Sequence, residues 1–292
     1  YLRISEGCSR GCSFCTIPAI RGPFRSKPPE LVLDEARELV SSGAVELNLI
    51  GQDTTMYGRD LKRKDALASL LRELEPIRDL VWIRLLYAYP TGITDALIET
   101  IAASEKVVRY LDIPIQHASD RVLKAMRRPD TAAGLRRLIE KLRSALPDIV
   151  LRTTLIVGFP GETTEDFNEL LTFVAWAQFD AMGAFTYFPE AGTPAAELPG
   201  QIADDVKQSR LDELMRAQQE IAFAHNRRRI GSRLTCLVDS LDPGGLGLGR
   251  FYGQAPEIDG ICVIGGCSAA PGQFVDVNVT GTRDYDLLAE QI

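Results

Sequence analysis

The chain has 292 residues, of which 45% are apolar and 25% charged, and its formal net charge is −7. This balance provides enough apolar side chains for a sizeable core and excludes an intrinsically disordered chain. No run of 18 apolar residues occurs, which excludes a membrane-spanning helix.

The chain begins with Tyr1 rather than methionine, so we expect a fragment whose preceding residues are missing. We expect no secretory signal peptide. Six cysteines without such a leader indicate a reducing compartment, and we expect a cytoplasmic protein. The length predicts one large domain, or one large domain with a small one.

The first stretch with a chemical signature is a cysteine loop at residues 7–15, where Cys8, Cys12 and Cys15 follow the spacing C-x3-C-x2-C. Thiolates at this spacing can converge on one iron–sulfur cluster. A cubane has four irons, so three cysteines leave one iron open for a reaction. A structural zinc site needs a fourth ligand, and no cysteine or histidine follows before His117. A disulfide framework or three core cysteines are the remaining alternatives.

Strand-like and helix-like segments alternate along the first 187 residues. Apolar strand runs lie near residues 2–5, 45–50, 81–87, 108–113, 149–157 and 181–187. Helical periodicity separates these runs, and Thr163 with Asp166 predicts a capping box for one helix. Six βα units predict an α/β fold with a parallel sheet. Six units rather than eight predict a partial, TIM-like (β/α)6 barrel that is open on one side.

Polar residues follow the predicted strands, at the end where barrel enzymes place their active sites. The candidates are Gln52, Asp53, Tyr87, Tyr89, Gln116, His117, Arg152, Thr154, Gly158 and Tyr187. Arg152 needs a partner, because an unpaired charge inside a sheet is costly. His117 can act as a proton shuttle or be a hydrogen-bonded structural residue. Tyr87, Gln116, His117 and Tyr187 are the candidates for facing a substrate. The alternative for Tyr87, Tyr89 and Tyr187 is that they fill the barrel mouth.

From residue 230 the pattern changes to short alternating runs between Gly, Pro and Asp turns. It predicts a small five-stranded antiparallel β-barrel of the OB-like kind. We therefore predict two domains, residues 1–225 and 226–292. Cys236, Cys262 and Cys267 fit no ligand spacing and are predicted to be buried or incidental.

The charge of this C-terminal segment is distinctive. Residues 230–292 contain three basic and eight acidic side chains, which gives a net charge of −5. Such a surface is a poor match for a polyphosphate backbone and suits a basic protein partner. An ordinary acidic surface gives the same count. Alternatively, local arginines gather into a basic patch; these are Arg227, Arg228, Arg229, Arg233, Arg250 and Arg283.

The cysteine loop and the residues that follow it resemble the signature of the radical S-adenosylmethionine (SAM) superfamily, and within it the methylthiotransferase family. The resemblance covers the whole chain, as a radical SAM core followed by a TRAM domain. It implies a 4Fe-4S cluster on Cys8, Cys12 and Cys15 whose open iron chelates SAM and whose reduced form cleaves it to a deoxyadenosyl radical. It also implies SAM contacts by Phe14, Gln52, Asp53, Arg152, Thr154 and Gly158.

Two features favour the family branch that modifies a small-subunit ribosomal protein. They are the string at residues 51–55 and the acidic strings at residues 255–260 and 284–287. This branch implies methylthio addition at the β-carbon of an aspartate, an electron donor, and docking of the ribosomal protein on the acidic TRAM domain. The alternatives are methylthiolation of a tRNA adenosine, which is less favoured, and a non-catalytic fragment that docks SAM and a partner. The family also implies a second 4Fe-4S cluster in an N-terminal domain that precedes Tyr1.

Overall fold

The computed structural model describes residues 1–292 and places the six predicted strand regions in one sheet. The elements of this part are β1 (Leu2–Arg3), β2 (Ser5–Glu6), α1 (Ile17–Arg21), β3 (Arg25–Ser26), α2 (Pro29–Ser41), β4 (Glu46–Ile50), α3 (Ala66–Leu74), β5 (Trp82–Leu85), α4 (Asp95–Ala103), β6 (Val107–Asp112), α5 (Asp120–Ala125), α6 (Ala132–Ala145), β7 (Val150–Val157), α7 (Thr164–Ala177) and β8 (Ala181–Thr186). The sheet order is β1-β4-β5-β6-β7-β8, with every pairing parallel. It stays open between β1 and β8, which confirms the predicted α/β core.

One face of this sheet packs against the helices and the other is the inner face, and β7 carries side chains on both. Leu151 and Leu155 belong to the apolar core between the sheet and the helices. Arg152 and Thr154 alternate with them and point to the opposite, inner face, because side chains alternate along a strand. The inner face therefore holds polar residues toward the carboxyl ends of the strands.

A long helix, α8 (Asp204–Arg229), leads from the sheet to a closed barrel of five strands. These strands are β9 (Arg233–Leu241), β10 (Gly247–Phe251), β11 (Cys262–Gly265), β12 (Phe274–Arg283) and β13 (Asp286–Gln291). The predicted small barrel is confirmed, with one correction: β11 pairs with β13 in parallel, so the barrel is not wholly antiparallel. The reason is that five strands close the barrel in the order β10-β11-β13-β12-β9. An odd number of strands in a closed ring cannot all alternate in direction, so one neighbouring pair runs in parallel. The predicted boundary after residue 225 falls within the last turns of α8.

The C-terminal barrel packs on the inner face of the parallel sheet. Trp82 on β5 meets Phe274 on β12 edge to face, with ring centroids 4.8 Å apart. Leu237 and Ala255 of the barrel join Trp82 and Val108 in one buried apolar cluster. The barrel is thus fixed against the sheet below the carboxyl ends of the strands. No helix of the chain is both long enough and apolar enough to cross a membrane.

Helix α7 begins with the predicted capping box. The hydroxyl of Thr163 accepts from the Asp166 N–H at 3.3 Å, and the Asp166 carboxylate accepts from the Thr163 N–H at 2.7 Å. Ser119 and Arg121 donate to the same carboxylate. Burial alone would raise the pKa of Asp166, but these hydrogen bonds outweigh it and hold the pKa well below its ordinary value.

Stability should therefore depend on pH through Asp166. A carboxyl whose pKa is lower in the folded chain stabilises it above the ordinary aspartate pKa of about 3.9, and this contribution is lost as the pH falls through the folded pKa. We expect Asp166→Asn to lower the urea midpoint at about pH 6 and to lower it somewhat less at about pH 3, because only part of the contribution is lost between the ordinary pKa and the folded pKa. Asp34→Asn, at an exposed site, is the control and should change neither value. A midpoint difference independent of pH would contradict the assignment.

Candidate active site

The short antiparallel pairing of β2 with β3 closes the segment that contains the cysteine loop and α1. Gly7 has a φ of 76°, and a Cβ there would lie 2.4 Å from the carbonyl oxygen of Pro23, so the turn requires glycine. The Cys8 N–H donates to the carbonyl of Gly22 at 3.2 Å, and the Cys15 N–H to that of Cys12 at 3.3 Å. These backbone bonds turn all three cysteines toward one cavity.

This cavity has a volume of about 400 Å³ and lies at the carboxyl ends of the parallel strands. It brings together predicted residues from separate segments of the chain. They are Cys8, Cys12, Phe14, Cys15, Gln52, Tyr87, Tyr89, Gln116, Arg152 and Thr154. Four other predicted residues, Asp53, His117, Gly158 and Tyr187, lie outside its wall. We name it the cysteine cavity.

The donor set of the cysteine cavity suits a cluster better than a single ion. The chain contains no group of three or more His, Cys, Asp or Glu side chains gathered around one metal position. A cubane does not require such a group, because its three cysteine sulfurs bind three different iron atoms. Burial raises the pKa of both Cys8 and Cys12. Metal binding would offset that cost, since the thiolate is the ligand.

Two arginines outside the predicted set lie beside the cysteines. The guanidinium carbon of Arg10 is 3.8 Å, and that of Arg128 is 4.3 Å, from the centroid of the Tyr89 ring. Arg10 donates to Asp53 at 2.6 Å, and Arg128 donates to Asp130 at 3.1 Å. Cations at these positions favour an anionic centre nearby. The place of Arg10 inside the cysteine loop is a usable sequence signal, whereas nothing in the sequence marks Arg128.

Arg152 finds protein partners on the inner face of the sheet. Its Nη1 donates to Asp112 at 2.9 Å, and its Nε lies 3.6 Å from an Asp259 oxygen of the C-terminal barrel. Burial would lower the pKa of Arg152, but the two carboxylates raise it, so the guanidinium stays charged. Asp112 also accepts from the Tyr87 N–H at 3.1 Å. Arg152 therefore lines the cysteine cavity as a fixed cation.

Four buried polar atoms around the cysteine cavity have no hydrogen-bond partner. They are Oε1 of Gln52, Oε1 of Gln116, Nη2 of Arg10 and the hydroxyl oxygen of Tyr89. Burying a polar group without a partner is costly, so these atoms mark places for a polar ligand. Tyr87 and Gln116 also have positive φ values of 57° and 70°, and such strained backbone clusters at functional sites. The cavity therefore fits a ligand that carries both donors and acceptors.

Asp53 and His117 are occupied by local contacts. Asp53 accepts from the Thr55 N–H at 3.0 Å and hydroxyl at 2.6 Å, while its second oxygen pairs with Arg10. The Nδ1 of His117 accepts from the Ser119 N–H at 2.9 Å, and the ring is fully buried. Both side chains support the residues around the cavity, and their predicted contacts with ligands stay predictions.

Gly158 and Tyr187 lie in a packed region behind the wall of the cavity. The Gly158 N–H donates to Glu162 at 2.8 Å, and a Cβ at Gly158 would lie 2.3 Å from Cγ of Lys207. The Tyr187 ring packs edge to face on Phe159, with centroids 5.2 Å apart. Their predicted roles at ligand or substrate likewise stay predictions.

Comparisons with known proteins agree with this architecture. Residues 2–174 match the family described as the radical SAM superfamily, and residues 230–292 match the TRAM domain. The ribosomal protein uS12 methylthiotransferase RimO of Geobacter sulfurreducens is 53% identical over the whole chain, which covers 66% of that relative. RimO of Symbiobacterium thermophilum is 50% identical over 99% of the chain, which covers 61% of that relative. The chain thus spans less than two thirds of the length of these relatives.

Solved structures share the fold at low sequence identity. The radical SAM methyltransferase TsrM from Kitasatospora setae superposes with a TM-score of 0.53 at 17% identity, covering 85% of this chain and 41% of TsrM. Coproporphyrinogen III oxidase (HemN) from Escherichia coli gives a TM-score of 0.53 at 16% identity, covering 86% of this chain and 64% of HemN. With the family match over more than half of its residues, the chain belongs to the radical SAM superfamily and carries a TRAM domain at its C-terminal end.

Proposed function

We propose that this chain is the cluster- and SAM-binding part of a methylthiotransferase that modifies ribosomal protein uS12 at the β-carbon of an aspartate. The observation that carries the proposal is the cysteine cavity, where three cysteines lie beside buried polar atoms that have no hydrogen-bond partner. The names of the RimO relatives, about half identical over the whole chain, supply the substrate class.

In this proposal Cys8, Cys12 and Cys15 hold a 4Fe-4S cluster with one open iron. Phe14, Gln52, Arg152 and Thr154 surround SAM, with Arg152 offering its charge to the SAM carboxylate and Gln52 its free oxygen to the amino group. When bound, the cluster and SAM supply the radical needed at a C–H bond that has no acidic proton, and SAM also supplies the methyl group. The chain itself positions these groups.

The acidic charge of the TRAM domain supports a basic protein partner over tRNA. Two details of the expected charge distribution change, one for Asp259 and one for the arginines. Asp259 is unavailable for docking, because its side chain is 6% exposed and faces Arg152. Four of the six arginines, Arg229, Arg233, Arg250 and Arg283, each have a carboxylate partner. Only Arg227 and Arg228 are left exposed without one, at the end of α8. Glu257, Asp284 and Glu290 remain exposed for a lysine- and arginine-rich surface. We place the reaction in the cytoplasm, with a cellular electron donor.

Reconstitution tests the proposal directly. The chain, loaded anaerobically with iron and sulfide, should cleave SAM when reductant is added, and liquid chromatography should detect methionine and deoxyadenosine. It should not form a methylthiolated product, because the second cluster is proposed to lie in the part of the relatives that this chain does not span. The corresponding longer protein should increase the mass of ribosomal protein uS12. A mass gain on tRNA instead would establish the alternative substrate, and absence of SAM cleavage would refute the enzyme assignment.

A further inference from the structure

The C-terminal barrel contributes directly to the wall of the cysteine cavity. Ile258 lies in the loop between β10 and β11 and lines the cysteine cavity together with Arg152 and Phe185. The same side chain lines a neighbouring cavity of about 440 Å³ between α8, β8 and the barrel. A residue of the TRAM domain thus stands beside the site where the chemistry is proposed to occur.

The loop that carries Ile258 is firmly held. The Asp259 carboxylate accepts from the hydroxyl of Tyr110 on β6 at 2.7 Å and from the Ala255 N–H at 2.8 Å. A Cβ at Gly260 would lie 2.3 Å from the carbonyl oxygen of Tyr285, so the loop packs closely on the β12–β13 turn. A side chain fixed before binding loses little entropy on contact with a partner. Ile258 is therefore a preorganised part of the cavity.

Ile258 belongs to an exposed apolar rim. Tyr87, Phe185 and Ile258 line the cysteine cavity, and they are 49%, 60% and 48% exposed. They come from three different elements: the loop after β5, strand β8 and the barrel loop. Large apolar side chains left in solvent around one cavity mark a surface that another molecule covers. We call these three residues the apolar rim.

Charge around the apolar rim favours a polypeptide as the covering molecule. The nearby cations Arg10 and Arg152 each have a carboxylate beside them, so these pairs add no net positive charge at the rim to attract a phosphate backbone. Glu257, next to Ile258, is exposed and would repel a nucleic-acid backbone while attracting a basic segment. The rim is also continuous with the cavity in which the modified residue must be placed.

We propose that Ile258 contacts the protein substrate and selects the residues beside the modified aspartate. This inference rests on the proposed function and deepens it. The apolar rim receives an apolar side chain of the substrate segment while the aspartate enters the cysteine cavity. The TRAM domain then acts in specificity at the reacting segment itself, in addition to any docking on its outer acidic surface.

Paired substitutions test this contact. Ile258→Ala should weaken the binding of ribosomal protein uS12 to the cluster-loaded chain about tenfold, as expected for loss of a buried isoleucine side chain, and Ile258→Glu should weaken it further. Leu246 is the matched control, because it is 39% exposed on the same barrel and lines neither cavity. Leu246→Ala and Leu246→Glu should change the dissociation constant less than about twofold. Melting temperatures check that all four variants fold.

A photocrosslinking amino acid at position 258 gives a second, independent readout. Mass spectrometry should place its crosslinks within a few residues of the modified aspartate, and the same probe at position 246 should not crosslink there. If the parent chain binds uS12 but the Ile258 and Leu246 variants behave alike, or the crosslinks fall far from the aspartate, the inference is overturned and the proposed function stands. If the parent chain binds tRNA and not uS12, the proposed substrate fails and the inference fails with it.

Discussion

Replacing Cys8, Cys12 or Cys15 by alanine should remove most of the bound iron and abolish SAM cleavage. Two thiolates hold a cubane poorly, and no His, Asp or Glu side chain joins the three cysteines in a ready-made metal group that could substitute. The measurements are iron and sulfide content after anaerobic reconstitution, and the rate of deoxyadenosine formation. A variant that cleaves SAM at the rate of the parent chain would remove the basis of the cluster assignment.

The other three cysteines provide matched controls within the same chain. Cys236 and Cys262 are fully buried in the core of the C-terminal barrel, and Cys267 packs against that core. The Cys262 thiol donates to Gln254, so it has a structural partner. Serine at any of these positions should leave the iron content unchanged, although a buried hydroxyl can lower stability. If these variants lost iron while the Cys8, Cys12 and Cys15 variants kept it, the cluster would lie in the C-terminal barrel and the assignment would be wrong.

The periodic spacing of apolar residues explains why the fold could be predicted from the sequence. Alternating apolar runs and helical segments leave few arrangements open, because parallel strands need crossover helices. The site followed from the same rule, since the carboxyl ends of parallel strands meet at one edge. Cys8, Gln52 and Thr154 thus reach one cavity although they lie far apart in the chain.

The sequence could not reveal which charges face one another across long chain distances. It showed that Arg152 needs a partner, but Asp112 and Asp259 come from other strands and from another domain. The count of acidic residues likewise treats Asp259 as a surface charge, whereas burial against the sheet raises its pKa and removes it from solvent. Arg84 offers no sequence signal at all, yet its side chain is completely buried. These contacts depend on how the barrel packs on the sheet, which no local pattern encodes.

A fully buried contact of this kind is centred on Glu46 of β4. Its Oε1 accepts from Arg84 Nε at 2.9 Å, and its Oε2 lies 2.8 Å from Nη2 of Arg250 in the C-terminal barrel. The three side chains are 4%, 0% and 5% exposed, so all three charges are out of water. Arg84 also donates to the carbonyl of Tyr252 at 2.7 Å. Glu46 therefore joins the parallel sheet to the barrel, and partner binding should be measured on the whole chain rather than on residues 230–292 alone.

Replacing Glu46 by alanine should destabilise the chain by about 3–5 kcal/mol, because it leaves two buried guanidinium groups without their shared counter-charge. Arg250 keeps Asp239 as a second partner, which favours the lower end of this range. Urea unfolding measures the effect, and limited proteolysis should show the barrel released before the sheet. Asp34→Ala is the control: its pair with Arg37 is 71% and 59% exposed, and its loss should cost about 0–1 kcal/mol. Equal unfolding midpoints for the two variants would mean that Asp239 and the Tyr252 carbonyl suffice to hold the arginines, and that apolar packing around Trp82 alone fixes the barrel on the sheet.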